Sequence, residues 1–158
     1  MKVITEDQVD EAALVIGNLN DYEELLVTLS ETQPALINYL YSESFQSFTA
    51  EEQQLFLFVG LVIWKSIDQQ YDAIPELSEE DIANTEEKNW NLMDSLSKGD
   101  FRTRLTPFFD EYSQEDLLAF VEDSVTPDED NVVTEEGKEY LFISLKTIID
   151  SFQVVLAE

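Results

Sequence analysis

The chain has 158 residues, of which 8 are Lys or Arg and 35 are Asp or Glu, so its formal net charge is −27. It contains neither cysteine nor histidine. Disulfides, zinc sites built on Cys or His, and catalytic relays that need a thiol or an imidazole are therefore excluded. Because 44% of the residues are hydrophobic, we expect a folded domain rather than a disordered acidic chain.

Glycine and proline occur only four times each, and β-rich folds normally use many such residues in turns. Capping pairs such as Thr5 with Gln8 and Thr49 with Glu52 mark helix starts. With the apolar periodicity, they predict an all-α, compact bundle of about seven to eight helices in one domain, 1–158. The predicted helices span residues 6–18, 22–31, 34–47, 50–71, 79–98, 101–112, 114–125 and 135–157.

The longest apolar run, Leu55 to Trp64, has ten residues, which is about half the length of a membrane-spanning helix. We read it as a buried core helix and expect Gly60 to mark a close contact with another helix. The N-terminus turns acidic at once, so we expect no signal peptide and a soluble, cytoplasmic protein. In the last predicted helix, Ser144, Lys146 and Thr147 indicate one face in contact with water.

The chain aligns weakly with itself when its halves are compared. Thr49 to Ile67 aligns with Thr134 to Phe152, and the first 79 residues carry 2 basic and 15 acidic side chains against 6 and 20 in the rest. This pattern suggests an internal repeat of two four-helix halves, 1–78 and 79–158, sharing one core. The alternative is that unrelated amphipathic helices align easily.

Without Cys and His, carboxylates are the side chains that could form a catalytic or metal site. One acidic segment lies just before the last predicted helix. It fails as a calcium loop, because an EF-hand beginning at Asp128 would need Asp or Asn at 132 and Gly at 133, where the chain has valines. An E-E-x-x-E match resembles half of the magnesium motif of helical nucleotide pyrophosphatases, but the later E-x-x-D is missing. We therefore predict no catalytic residue and no cofactor. The candidate metal ligands are Asp128, Asp130, Glu135, Glu136 and Glu139.

Candidate partner contacts come from scarce cations and from one tyrosine pair. Lys98, Arg102 and Arg104 are concentrated near one helix end, where they either stabilise the helix end and pair with local acids or contact a partner or a second copy of the chain. Tyr39 and Tyr41 cannot both point to one face of a helix. One of the two is a candidate for an exposed contact.

Three classes of function remain. We favour a non-enzymatic protein-interaction module, since paired helical layers form grooves that accept partner helices. One alternative is an acidic inhibitor, an immunity-type protein or a nucleic-acid mimic that binds a strongly basic partner. Another is a carboxylate-dependent metal hydrolase, and general adaptation to high salt would explain the charge alone. The expected partner is a protein, and a basic protein and a second copy of the chain in a homodimer are both candidates. Nucleic acid and membranes are not expected, because the negative surface repels both.

Overall fold

A computed structural model describes residues 1–129 and 132–157, and these residues form helices and no strand. The predicted all-α class is confirmed. The helices are α1 (Glu6–Gly17), α2 (Glu23–Thr32), α3 (Pro34–Leu40), α4 (Glu43–Ser47), α5 (Ala50–Asp68), α6 (Glu79–Ser95), α7 (Phe101–Phe109), α8 (Glu115–Val125) and α9 (Lys138–Val155). None of them is long and apolar enough to cross a membrane.

The segment 34–47, predicted as one helix, forms two helices, because the helical conformation is interrupted at Tyr41 and Ser42. Ser42 has extended backbone, with ψ of 178°. The break turns the following aromatic residues onto α5, where the rings of Phe45 and Phe48 lie 6.3 and 5.6 Å from the ring of Phe56. The aromatic contacts thus compensate for the lost helical turn.

The core is organised around α5 and α9, which contact each other. α1 packs on α5, α6 packs on α9, and α8 packs on both. Within α5, a Cβ placed at Gly60 would lie 3.0 Å from Cδ2 of Leu40 and 3.6 Å from Cδ1 of Ile148, so the predicted close helix contact at Gly60 is confirmed. The internal repeat of 1–78 and 79–158 is not confirmed and stays a prediction.

The prediction of a wet face on α9 was wrong, because Ser144, Lys146 and Thr147 are all buried. The Nζ atom of Lys146 donates to Oδ1 of Asn89 at 2.9 Å and to Oδ2 of Asp150 at 2.6 Å. Its cationic head also lies 4.6 Å from the ring centroid of Tyr112. A buried charge is tolerated when it is paired and hydrogen-bonded, and these three partners supply that pairing.

The buried polar groups around Lys146 form a network that links α6, α9 and the turn after α7. The side-chain amide of Asn89 donates to Oγ1 of Thr147 at 3.2 Å and to Oδ2 of Asp150 at 3.1 Å, and the hydroxyl of Tyr112 donates to Oδ1 of Asp150. Within the described residues, no buried side-chain nitrogen or oxygen lacks a partner. The network is therefore fully satisfied, which is the condition for buried polar groups to stabilise rather than weaken a core.

The starts of the two central helices meet at one buried carboxylate, that of Glu52, whose exposed fraction is 2%. Glu52 completes a capping box with Thr49, whose backbone N–H it accepts at 3.0 Å. It also accepts the N–H and the Oγ1 hydroxyl of Thr134 at 3.0 and 2.9 Å. Burial by itself raises the pKa of Glu52, but the hydrogen bonds from Thr49 and Thr134 outweigh it and hold the pKa below its ordinary value of 4.5.

The lack of a side chain at Gly137 leaves space for the carboxylate of Glu52. A Cβ at this position would overlap Oε2 of Glu52. We expect Gly137→Ala to displace the carboxylate from Thr134 and to lower the free energy of unfolding by about 1–3 kcal/mol, measured by chemical denaturation. Gly99→Ala is the matched control, since a Cβ there meets nothing within 4 Å; an equal loss in both variants would contradict the proposed role of Gly137.

Glu52 should also give stability a specific dependence on pH. Because its folded pKa is lowered from 4.5, its contribution is fully present above pH 4.5 and is lost as the pH falls through the folded value. We expect the difference in unfolding free energy between the wild type and Glu52→Gln to shrink between pH 6 and pH 3, measured by urea denaturation. The other carboxylates titrate in both proteins and cancel in this difference. A difference that stays constant over that range would contradict the assignment.

Candidate functional site

An open groove lies between the last turn of α1, the connection that follows it and the first half of α2, with a volume of about 1020 Å³. Apolar and polar side chains from all three line its walls, and its floor reaches the last turn of α5. The residues that matter for its chemistry are Val15, Ile16, Leu19, Leu25, Val27 and Lys65.

The groove exists because α2 is only partly packed. α2 packs chiefly against α3, and Leu29 is its buried residue. On α1, Val9, Ala12 and Ile16 face the core. The apolar residues off that stripe therefore find no partner helix, and large apolar side chains remain in contact with water on both walls: Val15 at 38%, Leu19 at 41% and Val27 at 55% exposed.

The groove has an acidic rim and one cation. Asp21, Glu23 and Glu24 line its edge where α2 begins, and all three are exposed. An oxygen of Asp21 accepts the N–H of Glu23 at 3.0 Å, which holds the chain at the turn into α2. Lys65, half-buried on α5, is the groove's basic lining residue. An apolar bed with charged edges is the usual composition of a surface that binds a helix.

A second, smaller depression of about 340 Å³ lies between α3, α4 and α6. Its polar lining includes Glu43, Glu79 and Glu86. Two of these acids already have partners, since Asn38 donates to Glu79 at 3.0 Å and Tyr39 donates to Glu86 at 2.9 Å. The depression is acidic, but its carboxylates mainly hold α3 against α6.

The structure separates the two tyrosines that were predicted to diverge. The hydroxyl of Tyr39 points inward to Glu86, and burial together with the negative charge of Glu86 raises the pKa of Tyr39 well above its ordinary range. Tyr41 is 42% exposed and packs edge-on against Phe45 at 5.1 Å. Tyr41 is therefore the exposed member of the pair, and a contact with a partner at Tyr41 stays a prediction.

The three basic candidates occupy different environments. Lys98 is exposed. Arg102, 53% exposed, pairs with Glu122 at 3.0 Å and with Asp123 at 3.4 Å. Both pairs join α7 to α8. The Glu122 side chain is 17% exposed, but Arg102 and Asp123 are largely in contact with water, where ion pairs contribute little to stability.

Arg104 is 16% exposed and connects three parts of the fold. It forms an ion pair with Glu139 and donates to the backbone oxygens of Ser97 at 3.1 Å and Met93 at 3.3 Å. These contacts tie α7 to the end of α6 and the start of α9. Partner contacts by Lys98, Arg102 and Arg104 stay predictions.

The candidate metal ligands that the structure describes do not come together. In the described ranges, no three Asp or Glu side chains are placed to hold a metal ion. Glu139 pairs with Arg104, Glu135 pairs with Lys138, and Glu136 is exposed. Asp128 is exposed too, and the prediction for Asp130 lies outside the described residues.

Comparison with protein-family models, with curated proteins and with solved structures gives no match to this chain. A proposal of function therefore depends on the groove.

Sequence reasoning did not locate the groove. Val15 and Leu19 could have revealed it, because Val15 lies off the stripe of Val9 and Ile16 that faces the core, and Leu19, just after α1, is exposed as well. An apolar residue on the polar side of an amphipathic helix is the signal of a second contact face. Glu52 was identified only as a local cap.

The two arginines should differ in their contribution to stability. We expect Arg104→Ala to lower the free energy of unfolding by about 1–3 kcal/mol, because Glu139 and two backbone oxygens lose their partner. Arg102→Ala, the matched control in the same helix, should cost about 1 kcal/mol or less. Urea denaturation measures both. Equal effects would show that Arg104 does not have the structural role described.

Proposed function

We propose that the protein is a non-enzymatic interaction module that binds a basic, amphipathic α-helix of a partner protein in the groove between α1 and α2. The observation that carries the proposal is the apolar surface of Val15, Leu19 and Val27, which faces the groove instead of the core. Contiguous exposed apolar side chains rimmed by polar residues are typical of interaction sites.

The shape of the groove favours a helix as the occupant. Apart from the connection that carries Leu19, its walls are the last turn of α1 and the first half of α2, so a third helix lying between them would complete a packed layer. Apolar side chains spaced three and four residues apart on the partner would contact Val15 and Leu19 on one side and Val27 on the other.

Charge favours a basic occupant. The rim carries Asp21, Glu23 and Glu24, and the whole chain has a net charge of −27. Lys and Arg residues flanking the apolar stripe of a partner helix would meet the rim, and long-range attraction would accelerate association. The attraction weakens as salt rises, because exposed charges are screened.

The test places a photo-crosslinking amino acid at position 27, in the groove, and at position 154, where Val154 is as exposed as Val27 but lies outside the groove. After irradiation in an extract of the source cells, mass spectrometry identifies the crosslinked peptides. We expect position 27, and not position 154, to crosslink a basic amphipathic segment of another protein. A crosslink to a second copy of this chain, equal products at both positions, or no product would contradict the proposal.

Point variants give a second readout on the same complex. We expect Leu19→Asp to lower the crosslinked yield from position 27 by about tenfold or more, since it places a charge among the apolar side chains of the groove. Leu14→Asp is the matched control, because Leu14 is 67% exposed on α1 and does not line the groove. The control should keep the wild-type yield, and a loss there would point to a general effect of added charge.

A further inference from the structure

Lys65 is placed unusually for a cation in this acidic chain. It lines the apolar groove, half-buried, with Nζ 5.7 Å from the ring centroid of Trp64. No carboxylate oxygen of the described residues lies within 4 Å of Nζ, whereas Arg102, Arg104, Lys138 and Lys146 each have such a partner. The other three lysines without such a partner, Lys2, Lys88 and Lys98, are exposed, whereas Lys65 is half-buried.

The nearest acid along α5 does not form an ion pair with Lys65. Asp68 follows one turn later, and burial raises its pKa while the attraction of Lys65 lowers it. The two side chains attract each other, but no oxygen of Asp68 lies within 4 Å of Nζ of Lys65. Lys65 therefore presents a positive charge without a direct ion pair on the floor of the groove.

We propose that Lys65 selects the partner helix by pairing with one Asp or Glu within the apolar stripe of that helix, between its basic flanks. The inference rests on the proposed function and specifies its partner. The apolar walls exclude water, which strengthens the pairing once the groove is filled. A partner with an apolar or basic residue at that position would leave Lys65 buried and unpaired, so the groove discriminates against it.

The position of Lys65 also sets the register of the bound helix. Lys65 lies on the floor, on α5, whereas Asp21, Glu23 and Glu24 lie on the rim at the start of α2. The acid of the partner must face the floor while its basic residues face the rim. This pattern of charges fixes both the rotation of the partner helix and its position along the groove.

The test is selection from a displayed library of helical 18-residue peptides with randomised faces, carried out against the wild type and against Lys65→Met, which keeps the length of the aliphatic stem. Peptides selected by the wild type should share an apolar stripe, basic flanks and an acid at one fixed position. Peptides selected by Lys65→Met should keep the stripe and flanks and lose the acid. Lys65→Gln gives the same comparison if Lys65→Met is poorly folded.

Affinities of a synthetic pair then measure the contact. A selected peptide with Glu at the fixed position should bind the wild type about tenfold more tightly than the same peptide with Gln, and the ratio should fall below about twofold for Lys65→Met. Lys65→Glu should prefer the peptide carrying Lys at that position.

The outcomes separate the two proposals. Peptides that bind in the groove, as shown by loss of binding to Leu19→Asp, but carry no fixed acid would overturn the inference about Lys65 and leave the proposed function standing. A selection in which no binder depends on Leu19 or Val27 would overturn both.

Discussion

The hydrogen bonds to the carboxylate of Glu52 hold the two central helices in place. α5 and α9 carry the core, and both begin beside this group: Thr49 starts α5, and Thr134 lies in the segment that leads into α9. A buried carboxylate is costly without partners, and this one is satisfied by N–H and O–H donors instead of a cation. In a chain with few cations, this arrangement stabilises a negative charge in the interior without using one of them. Gly137 is required at the same point because a side chain there would occupy the space of the carboxylate.

Local features were predictable from the sequence, and contacts between distant segments were not. The capping box of Thr49 and Glu52 spans three residues and follows from residue types alone. The bond from Thr134 to Glu52 spans 82 residues, and no local pattern indicates it. The burial of Lys146 was missed for the same reason, because its partners include Asn89 on α6 and Tyr112 after α7. Polar residues on a helix predict a solvent-exposed face only when no other element supplies hydrogen-bonding or charged partners for them. Here α6 and the turn before α8 supply such partners.

The sequence was enough to propose the type of site, a surface that binds a protein, but not its location in the fold. The absence of Cys and His favours binding over catalysis as the function. The interaction module stays a prediction. Locating the groove requires knowing that α2 packs chiefly against α3, which follows from tertiary packing and not from the pattern of α2 itself. The role proposed for the acidic rim and for Lys65 depends on the groove. On a surface without a groove, the same side chains would only be solvated charges.

The two walls of the groove are held by different parts of the fold. On α1, Val9, Ala12 and Ile16 face the core, and the helix packs along α5. α2 contributes Leu29 to the core and packs chiefly against α3. The surface offered to a ligand therefore depends on the contact between α2 and α3 as well as on the central helices, so that a substitution in α3 that leaves α5 and α9 intact would still change the groove.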